Sequence, residues 1–397
     1  MSESKGFVRS LIPMVFSFFN KSVAFLEDEA VKRAIQEVID QKTYYGYGNQ
    51  QHVKEFEKML STLFDSTYVS AMNSGTDALI TALKILNIKN EDEVIVPAFG
   101  FISTASCISF VGATPVFVDI QLDDCSIDVA KIEERITPRT KAIIVAHLFG
   151  RPALGIINIL SIAKKYGICV VEDAAQSFGA KILVNGEWKL VGTLGDIGCL
   201  SFSSTKPFSA PGNGGALLTQ NRALHEEANK MRFYGAKVHY YDYTTSGGNY
   251  KMHDIQAAAL LAKYRFYGHW LEHRQKIADY YSMELTGVGD LVLPQRFPNI
   301  AHIWSRYVVK TKQRDALFDY LLSVVKKFGQ WERPLKNYPV PLPYFSVFKH
   351  LGHKRGDFPM ADQFSQEGIS LPISNYGSLN DAKLISNSVK EFFKQGK

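Results

Sequence analysis

Four stretches of the chain place reactive or donor groups where an apolar run ends. The most reactive is Ser201-Phe202-Ser203-Ser204-Thr205-Lys206, which follows Gly198-Cys199-Leu200 and leads into the Gly-rich return Pro211-Gly212-Asn213-Gly214-Gly215. A lysine carried from a strand end into a cleft can be desolvated, lose its proton and attack an aldehyde to form a Schiff base. The neighbouring hydroxyls and the glycines, which let backbone pass close to a ligand, set Lys206 apart from an ordinary surface lysine. Glu172-Asp173-Ala174-Ala175-Gln176 follows the apolar Ile168-Cys169-Val170-Val171. A buried aspartate needs a cationic partner, which a pyridinium nitrogen, a helix N-terminus or a basic side chain would each supply. Asn73-Ser74-Gly75-Thr76 precedes a helical pattern and could hold a phosphate on free backbone N–H groups, or cap the helix with no ligand at all. Phe101, just past another apolar run, could stack on a flat ring or pack in the core.

These groups need rigid elements behind them. In open α/β sheets ligands collect at the carboxyl ends of the strands, and the chain from Thr76 to about Thr219 alternates strand and helix patterns. The runs EVIVP from Glu93, PVFVD from Pro115, KAIIVAH from Lys141, ICVVED from Ile168, GCLSF from Gly198 and GALLT from Gly215 are mostly apolar throughout. Such runs suit strands buried on both faces of a parallel sheet. DALITALKILN, VAKIEERI and INILSIAKKYG carry apolar residues three and four apart, as crossover helices do. A long helix is expected from about His253 to Met283, then a strand from Arg306, a helix from Arg314, a Pro-rich loop, and a last helix from about Asn380. The 397 residues are therefore expected to form an N-terminal arm (1–30), a large α/β domain (31–265) and a smaller C-terminal α+β domain (266–397).

Composition narrows the classes. The chain is 46% apolar and 21% charged, a balance that suits a globular protein and excludes collagen, coiled coil and low-complexity polymers. Its 45 basic and 39 acidic residues never form a basic block, so no nucleic-acid partner is expected. Cys107, Cys125, Cys169 and Cys199 lie far apart without a CxxC pair, as in a reduced, cytoplasmic protein. The apolar run LIPMVFSFFN is broken by Pro13 and falls short of the roughly 20 residues of a membrane helix, so it reads as an arm packing on the body or a partner.

In their order and spacing NSGTDAL, PAFGFIST, AIIVAHLFGRPA, VVEDAAQSFGA, GTLGDIGCLSFSSTK, GNGGA and GGNYKMHDIQAAAL resemble the DegT/DnrJ/EryC1/StrS family of pyridoxal-phosphate-dependent sugar aminotransferases. The likeness runs from about residue 40 to the long helix and continues more loosely to ISLPI. It implies the aspartate aminotransferase type I fold and a homodimer whose active site is shared between subunits. By position, Lys206 would bond the cofactor aldehyde, Asp173 would pair with the pyridine nitrogen, Gln176 would lie against the cofactor face and Phe101 would stack on the ring. Gly75, Thr76 and Ser201 would bind its phosphate, with Asn249 reaching in from the other subunit. The resemblance further implies an amino donor, usually glutamate, a pyridoxamine phosphate intermediate, and a ketone of a nucleotide-linked sugar as acceptor.

Some features depart from the family pattern. Asn213 stands where many relatives have glutamate, and the segment YYGYGNQQHVKEFE replaces the usual glycine-proline element. The Gly-rich turn begins at Gly212, one residue later than in many relatives that aminate C4, which favours a 3-keto sugar. Dehydratases of the same family carry histidine at the lysine position, so Lys206 favours amino transfer; a noncatalytic sugar-binding or regulatory relative would have lost the lysine or the aspartate. A nicotinamide dehydrogenase lacks its GxGxxG. His269 and His273 lie four apart with no third ligand, so no metal is expected.

Overall fold

The computed structural model describes residues 23–42, 50–65, 67–237, 241–327 and 333–395. Most of the expected arm lies outside these residues, and its last part opens a helix, α1, over 23–40. Helix α2 (Gln51–Leu63) buries Val53, Phe56 and Leu60 and leads to strand β1 (Tyr68–Met72). Helix α3 (Gly75–Ile85) starts at Ser74, whose side chain accepts the Asp77 N–H at 3.0 Å.

The α/β core then follows in the expected order: β2 (Glu93–Pro97), α4 (Ile102–Phe110), β3 (Thr114–Val118), β4 (Thr140–Ala146), α5 (Ile156–Tyr166) and β5 (Cys169–Asp173). After a hairpin of β6 (Lys181–Val184) and β7 (Glu187–Leu190) come β8 (Ile197–Ser201) and β9 (Gly215–Thr219). Seven strands form one sheet in the order β1-β9-β8-β5-β4-β2-β3. The pairs from β8 to β3 are parallel, while β9 runs antiparallel to both β8 and β1. The apolar runs are apolar because strands such as β2 and β8 are buried at every position. Register aligns Ala146 with Asp173 and Asp173 with Cys199, so the ends of β4, β5 and β8 sit side by side.

Two expected helices differ. VAKIEERI forms two 3₁₀ turns, Val129–Lys131 and Glu133–Arg135. Ile132 reaches the core while Val129 and Ile136 stay half-exposed, and Ile136 is already extended two residues before Pro138. Past α6 (Arg222–Met231), the stretch expected as a single long helix is α7 (Asp254–Tyr264) and α8 (Tyr267–Leu285). The break lets α7 bury Ala257 and Leu260 against the sheet while Tyr267 stacks edge-on to Phe178 and donates to its carbonyl.

Helix α8 next carries Ile277, Tyr281 and Leu285 into a separate C-terminal cluster. That cluster is built with β11 (Tyr307–Lys310), α9 (Arg314–Lys327), β12 (Gly368–Leu371) and α11 (Leu379–Gln395). Short β10 (Ile300–Ala301) joins β6, and α10 (Pro359–Glu367) packs Ala361 and Phe364 on the main core. Two segments bring this region back to the strand ends. The Ile303 and Arg306 N–H groups donate to the Gly150 and Phe149 carbonyls, and Leu335 pairs with Ser370 on both sides. Gly150, at φ +92°, must lack a side chain, since a Cβ would lie 2.5 Å from the Ser305 nitrogen.

Among the described residues no helix is long and apolar enough to cross a membrane. The four cysteines are free, with Cys107, Cys125 and Cys199 buried.

Candidate active site

A cavity of about 410 Å³ opens at the carboxyl ends of β4, β5 and β8, bounded by the N-terminus of α3 and by two C-terminal segments. Gly75, Thr76, Phe101, Asp173, Gln176, Ser201 and Lys206, expected from sequence to act together, all line it. Asn249 does not; it lies exposed, with its Oδ1 accepting from Lys251.

Lys206 sits in the turn after β8, held by its N–H to the Ser203 carbonyl at 2.9 Å. Burial pulls its pKa down to about 8; Asp173 opposes that shift and the Arg306 guanidinium adds to it. A large share of this lysine is therefore the neutral amine near pH 8, which is the nucleophilic form. Its Nζ lies 6.0 Å from the centre of the Phe101 ring, which is 47% exposed; the ring faces the cavity and is not core packing.

Asp173 ends β5 and is buried. Its Oδ2 accepts from the Thr104 hydroxyl at 2.7 Å and its Oδ1 from the Ala175 N–H at 3.2 Å. Neither donor is a cation, and apart from Lys206 across the cavity a buried carboxylate here has room for a cationic partner such as a pyridinium nitrogen. Gln176 is fixed at both ends: its Oε1 accepts the Phe149 N–H at 3.0 Å and its Nε2 donates to the Tyr338 hydroxyl at 2.8 Å. Burial pushes the Tyr338 phenol up to about 12, which keeps it neutral.

The opposite wall is a cradle for an anion. Gly75 opens α3, and a Cβ there would lie 2.8 Å from the Ser201 Cβ. The Thr76 hydroxyl meets the Ser103 hydroxyl at 2.9 Å, and both line the cavity with the Ser201 hydroxyl. The helix N-terminus and these hydroxyls are donors for a phosphate. Amine, carboxylate and phosphate donors thus surround one space and match the three polar ends of pyridoxal phosphate.

Sequence reasoning missed several lining residues. His147, one position past β4, donates from Nε2 to Glu172 at 2.9 Å, because its Nδ1 accepts the Ala153 N–H at 3.0 Å. Glu172 also accepts from the Gly192, Leu194 and Gly195 N–H groups. Burial would raise the Glu172 pKa, but the His147 bond and these N–H groups outweigh it and leave it lowered. The pair locks β4 to β5 directly beneath Asp173. The strand-end rule that singled out Asp173 could have found His147; Thr104, inside α4, carried no strand-end signal. Arg306, Asn337 and Tyr338 carried no such signal.

His269 and His273 stack with centroids 6.4 Å apart, and burial lowers both pKa values. Among the described residues no group of three His, Cys, Asp or Glu side chains could hold a metal ion.

The model of the DegT/DnrJ/EryC1/StrS aminotransferase family matches residues 26–390. The chain is 35% identical over 345 residues to a pleiotropic regulatory protein of Geobacillus stearothermophilus, covering 86% of this chain and 90% of that one. It is also 35% identical over 362 residues to the UDP-N-acetyl-3-dehydro-alpha-D-glucosamine 3-aminotransferase of Acidithiobacillus ferrooxidans, covering 91% and 92%. Among solved structures it is similar to S. venezuelae DesV in complex with a ketimine intermediate, with a TM-score of 0.85, 30% identity, and 94% and 97% of the two chains covered.

Proposed function

The chain belongs to the DegT/DnrJ/EryC1/StrS aminotransferase family, and from that premise we propose that it moves an amino group from glutamate to the 3-keto group of a nucleotide-linked deoxy sugar. Family aminotransferases use pyridoxal phosphate, and the residues present here fit it. The observation that carries the reading is the joint placement of Lys206, with its pKa near 8, and buried Asp173 on one cavity.

When bound, the cofactor supplies an electrophilic aldehyde and a ring that accepts electrons. This chain's own groups do the rest. Asp173 would hold a proton on the ring nitrogen, with Thr104 and the Ala175 N–H keeping its carboxylate aimed. Lys206 Nζ would anchor the aldehyde covalently and, as the free amine once a donor amine has taken its place, would carry a proton from the donor carbon that bears nitrogen to the carbon on the other side of that nitrogen. Gly75, Thr76 and Ser201 would anchor the phosphate, Phe101 would cover the ring, and Gln176, braced by Tyr338, would lie against it.

The position of the Gly-rich turn at Gly212 supports C3, as does the name of the Acidithiobacillus relative. We assign residues 1–30, 31–265 and 266–397 to an arm, a cofactor-binding unit and a smaller unit that closes the cavity, and the working form to a cytoplasmic homodimer in which Asn249 reaches the neighbouring phosphate site.

The test is to incubate cofactor-loaded protein with glutamate and a panel of 3-keto and 4-keto nucleotide sugars and to weigh the products. Nitrogen gain on a 3-keto sugar is expected, and borohydride should attach the cofactor to a peptide containing Lys206. Nitrogen gain on 4-keto sugars in preference overturns the C3 assignment. Loss of water without nitrogen gain makes the protein a dehydratase, and a protein that takes up no cofactor is a sugar-binding or regulatory relative.

A further inference from the structure

A second cavity, of about 90 Å³, adjoins the first and shares Arg306 with it. Three cations wall it, Arg151, Arg306 and Lys310, against one carboxylate, the exposed Asp123. Arg151 is 7% exposed, yet its guanidinium is held by main-chain carbonyls: Nη2 donates to Asp123 O at 2.7 Å and Nη1 to Gln295 O at 3.4 Å. Lys310 Nζ likewise donates to Leu122 O at 3.1 Å. A carbonyl satisfies an N–H without cancelling its charge, and no carboxylate of the described residues forms an ion pair with Arg151 or Lys310. An uncompensated buried guanidinium is costly unless a ligand brings the counter-charge.

Most of the remaining wall is apolar, with Leu122, Phe149, Leu293 and Val308 in it, and its other polar residues are Gln295 and His302, whose pKa burial lowers. The volume admits on the order of six water-sized groups. That is room for a carboxyl group on two methylenes and too little for a diphosphate with its nucleoside. Arg306 joins the two cavities and acts electrostatically on Lys206, so a ligand held past Arg306 can present its other end to the reactive amine.

We infer that Arg151 and Lys310, with Arg306 at the junction, form the receptor for the distal carboxylate of a dicarboxylic amino donor, which selects glutamate over monocarboxylic amino acids. A planar guanidinium suits a carboxylate, and the methylenes lie along the apolar wall. The inference rests on the transaminase reading for its role, though the binding it asserts does not depend on turnover.

Two measurements test it. Calorimetric titration of the holoenzyme with glutarate and with butyrate should show a preference for glutarate that Arg151→Gln and, separately, Lys310→Met each reduce about tenfold or more. In steady state both variants should raise the KM for glutamate and leave the KM for alanine and for the nucleotide sugar unchanged. Glutarate binding that both variants leave intact overturns the inference. So does a loss of UDP affinity without loss of glutarate affinity, which would give the cavity to the acceptor's phosphates. Two variants at different depths guard against misfolding of one. If the wild type transfers nitrogen to no sugar, the transaminase reading fails, and the glutarate titration still decides the site.

Discussion

Burial strips water from the Lys206 ammonium and Arg306 repels it, and together they outweigh the attraction of Asp173. The rate at which apoprotein takes up pyridoxal phosphate, followed by absorbance, should therefore rise with pH around a midpoint near 8. Arg306→Met removes a cation that disfavours the ammonium, so its midpoint should move to higher pH; an unmoved or lower midpoint would contradict this. Lys206→Ala should lower turnover by about 10²–10⁴-fold. The Glu172 carboxylate beneath the site acts on stability instead. Its pKa is lower in the folded chain than its ordinary value of 4.5, so its contribution is present above that value and is lost as pH falls through the folded one. Glu172→Gln should cost about 3 kcal/mol in urea unfolding at neutral pH, and the gap from wild type should narrow in acid. Lys206, Asp173 and Ser201 were legible in the sequence because each stands where an apolar strand ends in polar residues. Arg306 and Tyr338 were not, because their segments are brought to the site by backbone bonds from Arg306 to Phe149 and between Leu335 and Ser370, which join distant parts of the chain.

The central strands could be read because burial on both faces leaves unbroken apolar runs, whereas β1 and the β6–β7 hairpin, with exposed positions, leave weaker ones. The hairpin had its own signal, Asn185-Gly186, both with positive φ (51° and 85°). The division between α7 and α8 has only a weak mark in the sequence, Gly268 in the first turn of α8; it is set by what Tyr267 packs against. Two glycine substitutions separate turn geometry from site geometry. Gly186→Ala meets nothing within 4 Å, so it should cost about 1 kcal/mol of backbone strain and leave activity unchanged. Gly75→Ala drives a methyl group toward the Ser201 Cβ at 2.8 Å. It should cost about 1–3 kcal/mol and also weaken cofactor retention on a desalting column. Equal retention by the two variants would mean that the start of α3 is no phosphate cradle.

At the scale of the molecule, a shared site requires a second copy to complete the cavity wall. Phe101 faces that cavity with 47% of its surface exposed, Asn249 is exposed and does not line it, and Phe25 and Leu26 on α1 are 65% and 56% exposed. Exposed apolar groups of this size are what a second copy would cover. Closed twofold symmetry would then place each chain's Asn249 at the other's phosphate site. Lys206→Ala and Asn249→Ala should each be weak on their own, because either defect occurs at both sites of a homodimer. A mixed dimer gathers both defects in one site and leaves the other intact, so equal amounts unfolded and refolded together should recover about a quarter of wild-type activity. No recovery beyond the sum of the separate variants, in a mixture shown by affinity tags to contain mixed dimers, would place Asn249 and Lys206 at the same chain's site and end the shared-site arrangement.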